Sequence, residues 1–165
     1  MSFLRCLFGK PERWHDYFSQ KDLADIKAAV ARLEASSAVE LRVKIMGKCH
    51  PEADGDLMKQ AWAEFVAEGL HNTAQKTGIL ILVVFEERRF QILADSGITA
   101  TLPQMYFDDQ AFLLESYFCK GHFSAGIVDF IESLKSNLSK QFPRIAGDIN
   151  ELPDDVIVER TEGQS

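Results

Sequence analysis

A chain of 165 residues that is 46% apolar and 26% charged reads as one soluble globular domain, long enough to bury roughly two-thirds of its unfolded surface. Its net charge of −7, with no lysine-arginine stripe interleaved with aromatics, excludes nonspecific nucleic-acid binding, because phosphates demand a basic face. Three scattered cysteines, Cys6, Cys49 and Cys119, form neither a disulfide framework nor a C-x-x-C metal pair, which fits a reducing cytoplasm.

The start, Met1 to Lys10, carries an apolar stretch interrupted by Arg5 and has neither an h-region nor a small-residue cleavage site. Residues 1–17 are therefore expected as a short amphipathic lead whose membrane contact is at most peripheral. Ser19-Gln-Lys-Asp22 is a capping box. After it Leu23, Ile26, Val30 and Leu33 recur at helical spacing, giving a helix to about Ala35. Glu40 to Met46 alternates polar and apolar, as a strand with one wetter face does. Gly47 to Gly55 is a loop. In the next helix Leu57, Ala61 and Phe65 make one row and Met58, Trp62 and Val66 another, ending near His71.

Ile79 to Phe85 is an unbroken apolar run, too short for a bilayer and rich in β-branched residues, hence a strand buried on both faces. Glu86-Glu-Arg-Arg89 is a solvated hairpin tip, and Phe90 to Ala94 returns as a second strand. The hairpin brings Asp95 back beside Lys76 and Thr77. A loop with Pro103 follows, then a helix from about Tyr106 to Cys119 and another over Ser124 to Gln141, stopped by Phe142-Pro143. Residues 18–143 are expected as the folded domain and 144–165 as an acidic tail, with Val156-Ile-Val158 as a short edge segment.

The order is α-β-α-β-β-α-α. A right-handed crossover makes the first two strands parallel and the hairpin makes the third antiparallel, so a small mixed sheet lies between helices. Glu40, Thr77-Gly78 and Asp95-Ser-Gly97 then share one end of the sheet. The N-terminus of the next helix is expected to bring Asp108 and Asp109 to the same groove. Oxygen ligands of this kind suit a hard cation, Ca²⁺ or Mg²⁺, held by Glu40, Asp95, Asp108 and Asp109. Each residue also has a plainer reading. Asp-Ser-Gly after a strand is a favoured turn with Gly at positive φ, acids near a helix start complement its dipole, and Glu40 can be a solvated strand end.

Other constellations fail on spacing. Asp54-Gly-Asp56 lacks the Gly and Glu of a calcium loop and reads as a helix start. The four histidines show no H-x-x-x-H pairing, and the phosphate-loop and nucleophile-elbow motifs are absent.

Several segments together resemble the TPM-domain family over roughly Phe18 to Val156. They are Ser37-Ala-Val-Glu-Leu-Arg-Val43, His71-Asn-Thr-Ala-Gln-Lys-Thr-Gly-Ile-Leu80, Phe90-Gln-Ile-Leu-Ala-Asp-Ser-Gly-Ile98, Gly121-His-Phe-Ser-Ala-Gly-Ile127 and Phe142-Pro143. The tail from Gly147 to Asp154 resembles the short, soluble bacterial subgroup. The resemblance implies a three-layer α/β/α sandwich with a groove at the sheet edge. It also implies acid-phosphatase activity, divalent-cation binding and roles in maintaining membrane protein complexes. The family's Gly-Asp-x-Gly motif falls on Ala94 to Gly97, its Gly-Glu-Ile-Arg motif on Val39 to Arg42, and its Arg-Asn-Gly segment on Lys76 to Gly78. The carboxylates are kept and the Asn is replaced by Thr77. Two functions follow from these readings. One is a cation-binding module for a protein partner; the alternative is a metal-assisted phosphomonoesterase.

Overall fold

The computed structural model describes residues 2–3, 17–147 and 152–159. Five strands form one sheet: β1 (Ser2–Phe3), β2 (Glu40–Met46), β3 (Gly78–Val84), β4 (Arg89–Ala94) and β5 (Ile157–Val158). Their spatial order is β1-β4-β3-β2-β5. β2 runs parallel to β3, starting Glu40 opposite Gly78, and β4 returns antiparallel with Ala94 opposite Ile79. The expected edge segment pairs parallel to β2 as β5. The amphipathic lead expected over residues 1–17 lies, apart from β1 and Tyr17, outside the described residues.

Five α-helices cover the sheet: α1 (Gln20–Ser36), α2 (Leu57–Ala67), α3 (Ser96–Thr101), α4 (Gln104–Cys119) and α5 (Phe123–Leu138). The capping box starts α1, the Ser19 hydroxyl accepting the Asp22 N–H at 3.1 Å and the Asp22 carboxylate accepting the Ser19 N–H at 2.8 Å. Alternation divides the buried strand residues between two cores. Ile79, Ile81 and Val83 join Ile26, Val30, Ile127 and Ile131 under α1 and α5; Leu80, Leu82 and Val84 join Leu57, Ala61 and Phe65 under α2. Each of the larger apolar side chains here, fully buried, contributes about 1.5–3 kcal/mol relative to exposure. This is a three-layer α/β/α sandwich.

Three expectations need correction. The polar side of β2 is not wet: Glu40, Arg42 and Lys44 are all buried. Lys44 is covered by Glu64 of α2 and the Glu68 that follows it, and β5 pairs along the β2 edge at Lys44 and Ile45. Second, Asp-Ser-Gly is no turn. Asp95 caps α3, which the Pro103 loop had concealed, and Gly97 is absent from the positive-φ glycines. Gly97 is required for approach instead, since a Cβ there would lie 2.3 Å from the Gln75 carbonyl oxygen. Third, Cys119 is disulfide-bonded, whereas its sequence spacing gave no pairing.

Candidate functional site

The end of the sheet where β2 and β3 start and β4 stops is closed by a short set of backbone hydrogen bonds. The Glu40 N–H donates to Thr77 at 3.3 Å, the Asp95 N–H to Gly78 at 2.9 Å, and the Gly97 N–H to Lys76 at 2.9 Å. Asp95 therefore does return beside Lys76 and Thr77. Lys76 takes a left-handed φ of 55° to make this corner. Thr77 is spent on structure, its N–H donating to the Thr73 hydroxyl at 2.9 Å and its own hydroxyl to the Ala38 carbonyl at 2.6 Å.

Of the predicted carboxylates, Glu40 and Asp95 lie at this corner. Glu40 and Asp95 flank Gly78 on either side of β3, two strand spacings or about 10 Å apart along the sheet. Between them the turn at Leu70–Asn72 rests on Gly78, where a Cβ would stand 2.4 Å from the Leu70 carbonyl oxygen. Asp95 is half-buried and accepts the Ser96 N–H at 2.7 Å. Asp108 and Asp109 are exposed in the second turn of α4, Asp108 accepting from the Gln104 amide at 3.0 Å. None of these four belongs to a three-ligand group among the described residues.

Glu40 has acidic company that its sequence neighbours did not announce. Glu34, on the last turn of α1, is 2% exposed and accepts the Leu41 N–H at 2.9 Å. Burial, the adjoining Asp154 carboxyl group and the Glu40 charge push its pKa up to about 9, with the Leu41 hydrogen bond opposing them. Three chain segments thus deliver Glu34, Glu40 and Asp154 to the start of β2. These residues do not make up a three-ligand group among the described residues, and with its pKa at about 9 the Glu34 carboxyl is protonated at neutral pH.

A second charged group lies farther along β2. The Lys44 ammonium donates to Glu64 and lies 3.5 Å from Glu68 and 3.8 Å from Glu159. Burial opposes its charge, yet the Glu64 hydrogen bond and the three carboxylates hold its pKa above the ordinary value. His50 sits between Glu159, 2.7 Å from Nε2, and Glu64, 3.9 Å from Nδ1. The Glu159 hydrogen bond, opposed by partial burial, raises the imidazole pKa. Sequence reasoning missed this group because no local spacing links residues 50, 64 and 159. Glu34 was missed because an acid at a helix end reads as solvated.

The outer row of α2 is exposed and apolar. Met58, Trp62 and Val66 stand one turn apart, Trp62 being 56% exposed and stacked on Phe65 with centroids 5.6 Å apart.

The sequence profile of the TPM domain matches residues 15–137. The chain belongs to the TPM-domain family. Among solved structures, this TPM domain is similar to the BA42 protein of the psychrophilic bacterium Bizionia argentinensis, with 27% identity and a TM-score of 0.78 over 92% of this chain and 100% of that one. It shares its fold with the N-terminal domain of a P. gingivalis protein at 19% identity and a TM-score of 0.59, covering 76% of this chain and 79% of that one. It does so too with the N-terminal domain of the Corynebacterium glutamicum cg2496 protein, at 15% identity and a TM-score of 0.57 over 97% of each chain. No curated protein matches. Among the described residues, no helix is long and apolar enough to cross a membrane.

Proposed function

We propose that this TPM domain binds a divalent cation, Ca²⁺ or Mg²⁺, at the sheet end and serves as a binding or assembly module, without catalysis. The observation that carries the reading is the delivery of Glu34, Glu40 and Asp154 to the start of β2, where the buried Glu34 carboxyl has an acid beside it. A hard cation there would be held by carboxylate oxygens and would displace the Glu34 proton as it binds.

Two features favour a module over the alternative, a metal-assisted acid phosphatase. Arg42, the cation nearest Glu40 along β2, is buried and so withdrawn from a phosphoryl group in solvent. Thr77 and Asp95 are committed to backbone contacts. The apolar row Met58-Trp62-Val66 supports a protein partner, since three large side chains in line on one helix are a docking face for an apolar anchor.

The test is calorimetric titration with calcium and magnesium of the wild type, Glu40→Gln and Asp95→Asn, beside hydrolysis of p-nitrophenyl phosphate. Binding by the wild type that is lost in Glu40→Gln, with no hydrolysis, is the expected result. Absence of binding overturns the cation reading, and cation-dependent hydrolysis overturns the module in favour of the phosphatase. The proposal places the chain in the cytoplasm; a Cys119 disulfide that persists when native cells are lysed under thiol-blocking conditions overturns that placement.

A further inference from the structure

We propose that His50, Glu64 and Glu159 form a second cation site, separate from the sheet end, that takes a borderline divalent ion of the zinc class. One ligand atom from each residue lies within 4.8 Å of the others. An imidazole nitrogen with two carboxylate oxygens is a donor set for zinc, and leaves a fourth position for water. The nitrogen is what separates this site from the all-oxygen group around Glu40, which suits calcium or magnesium.

Charge points the same way. Glu64, Glu68 and Glu159 surround one ammonium, that of Lys44, so the carboxylates outnumber it, and His50, whose pKa the Glu159 hydrogen bond raises, would give up any proton it holds as the ion binds. A divalent ion matches that excess. Lys44 stays in place on Glu64 Oε2, while Oε1, which faces His50 at 3.9 Å, takes the ion. The Gln60 amide donates to the same Oε1 at 2.6 Å and accepts the His50 N–H through its own oxygen at 2.6 Å, tying ligand loop to ligand helix. Such outer hydrogen bonds orient the donors.

A cavity of about 270 Å³ opens beside His50, lined also by Glu52, Lys59 and Gln60; Glu64 and Glu159 do not line it. Ligand atoms around zinc stand ~3.3 Å apart when its bonds are ~2.0 Å. Glu159 lies 2.7 Å from His50 Nε2 while Glu64 lies 3.9 Å from Nδ1, so the imidazole must turn to offer one nitrogen to an ion held by both acids, and His50 and Glu159 are exposed enough to move. Because Glu159 follows β5, the ion would fasten the C-terminal strand to α2, making the tail's docking dependent on metal.

The test is titration of the untagged full chain with zinc chloride, by calorimetry and by thermal unfolding. One zinc per chain and a rise in Tm are expected in the wild type. In His50→Ala and Glu159→Gln, whose side chains are exposed enough to change without unfolding the domain, affinity should fall by more than about a hundredfold, beyond what outer-shell changes typically do. Glu40→Gln should leave zinc binding unchanged. No zinc binding by the wild type, or full binding in His50→Ala, overturns the site. Calcium binding is read separately, so loss of either site leaves the other standing.

Discussion

Replacing Glu34 by Gln should make the domain more stable at neutral and alkaline pH. The folded carboxyl titrates at about 9, against 4.5 when unperturbed. Between those values the folded state holds a proton that the unfolded state has released. Folding then takes up a proton, and rising pH disfavours it. Below pH 4.5 both states are protonated and the penalty vanishes; it grows as pH rises and levels off above 9. One proton corresponds to about 1.4 kcal/mol per pH unit. From pH 6 to pH 8, the Glu34→Gln variant should therefore gain about 2.7 kcal/mol on the wild type. For a domain of this size that is roughly 5–11 °C in Tm. The amide oxygen can still accept the Leu41 N–H, so that bond is not lost. The assay is urea denaturation in EDTA at pH 6, 7 and 8, followed by tryptophan fluorescence. Parallel stability curves for variant and wild type would mean that Glu34 is ionised in the folded protein, and the reasoning would fail.

Gly97→Ala puts a Cβ 2.3 and 2.7 Å from the Gln75 and Lys76 carbonyl oxygens, so it should destabilise by at least about 3 kcal/mol in urea. A loss under about 1 kcal/mol would show that the corner yields. Lys44→Met strands the buried Glu64 carboxylate and should cost about 3 kcal/mol or more, most of it recovered by adding Glu64→Gln. Additive single effects in that cycle would refute the pairing. Ser19→Ala removes one half of the capping box and should cost about 1 kcal/mol, read as a lower denaturation midpoint at unchanged slope.

Period and punctuation made most of the fold legible. β2 begins at Glu40 and ends at Met46 as its alternation predicted, and the hairpin strands are placed to within a residue. What alternation cannot tell is what covers a face. Glu40, Arg42 and Lys44 have the pattern of a wet side, and only the tertiary arrangement of α2 and β5 makes it dry. The same limit hid the charged groups. Glu64 reads as an ordinary surface acid of α2 until Lys44 and His50 are brought to it from elsewhere in the chain. The short α3 escaped because Gly97 and Pro103 are breaker residues, here used for close approach and for starting α4.

The family motifs themselves tell more about packing than about chemistry. In the Gly-Asp-x-Gly segment this chain keeps the last Gly, at the one position where a Cβ meets backbone atoms. It replaces the first by Ala94, opposite Ile79 in the sheet, where a methyl group fits. It keeps Gly78, which lies under the Leu70 carbonyl, and exchanges the preceding Asn for Thr77, whose hydroxyl secures Ala38. Asp95 is kept, and its Oδ1 accepts the Ser96 N–H at the start of α3. Each retained residue thus has a structural demand that explains it without a reaction. A motif preserved for such reasons carries the fold into this chain and carries catalysis only if a second, independent set of groups survives with it. Glu34, Glu40 and Asp154 are the groups on which the proposed cation binding stands or falls.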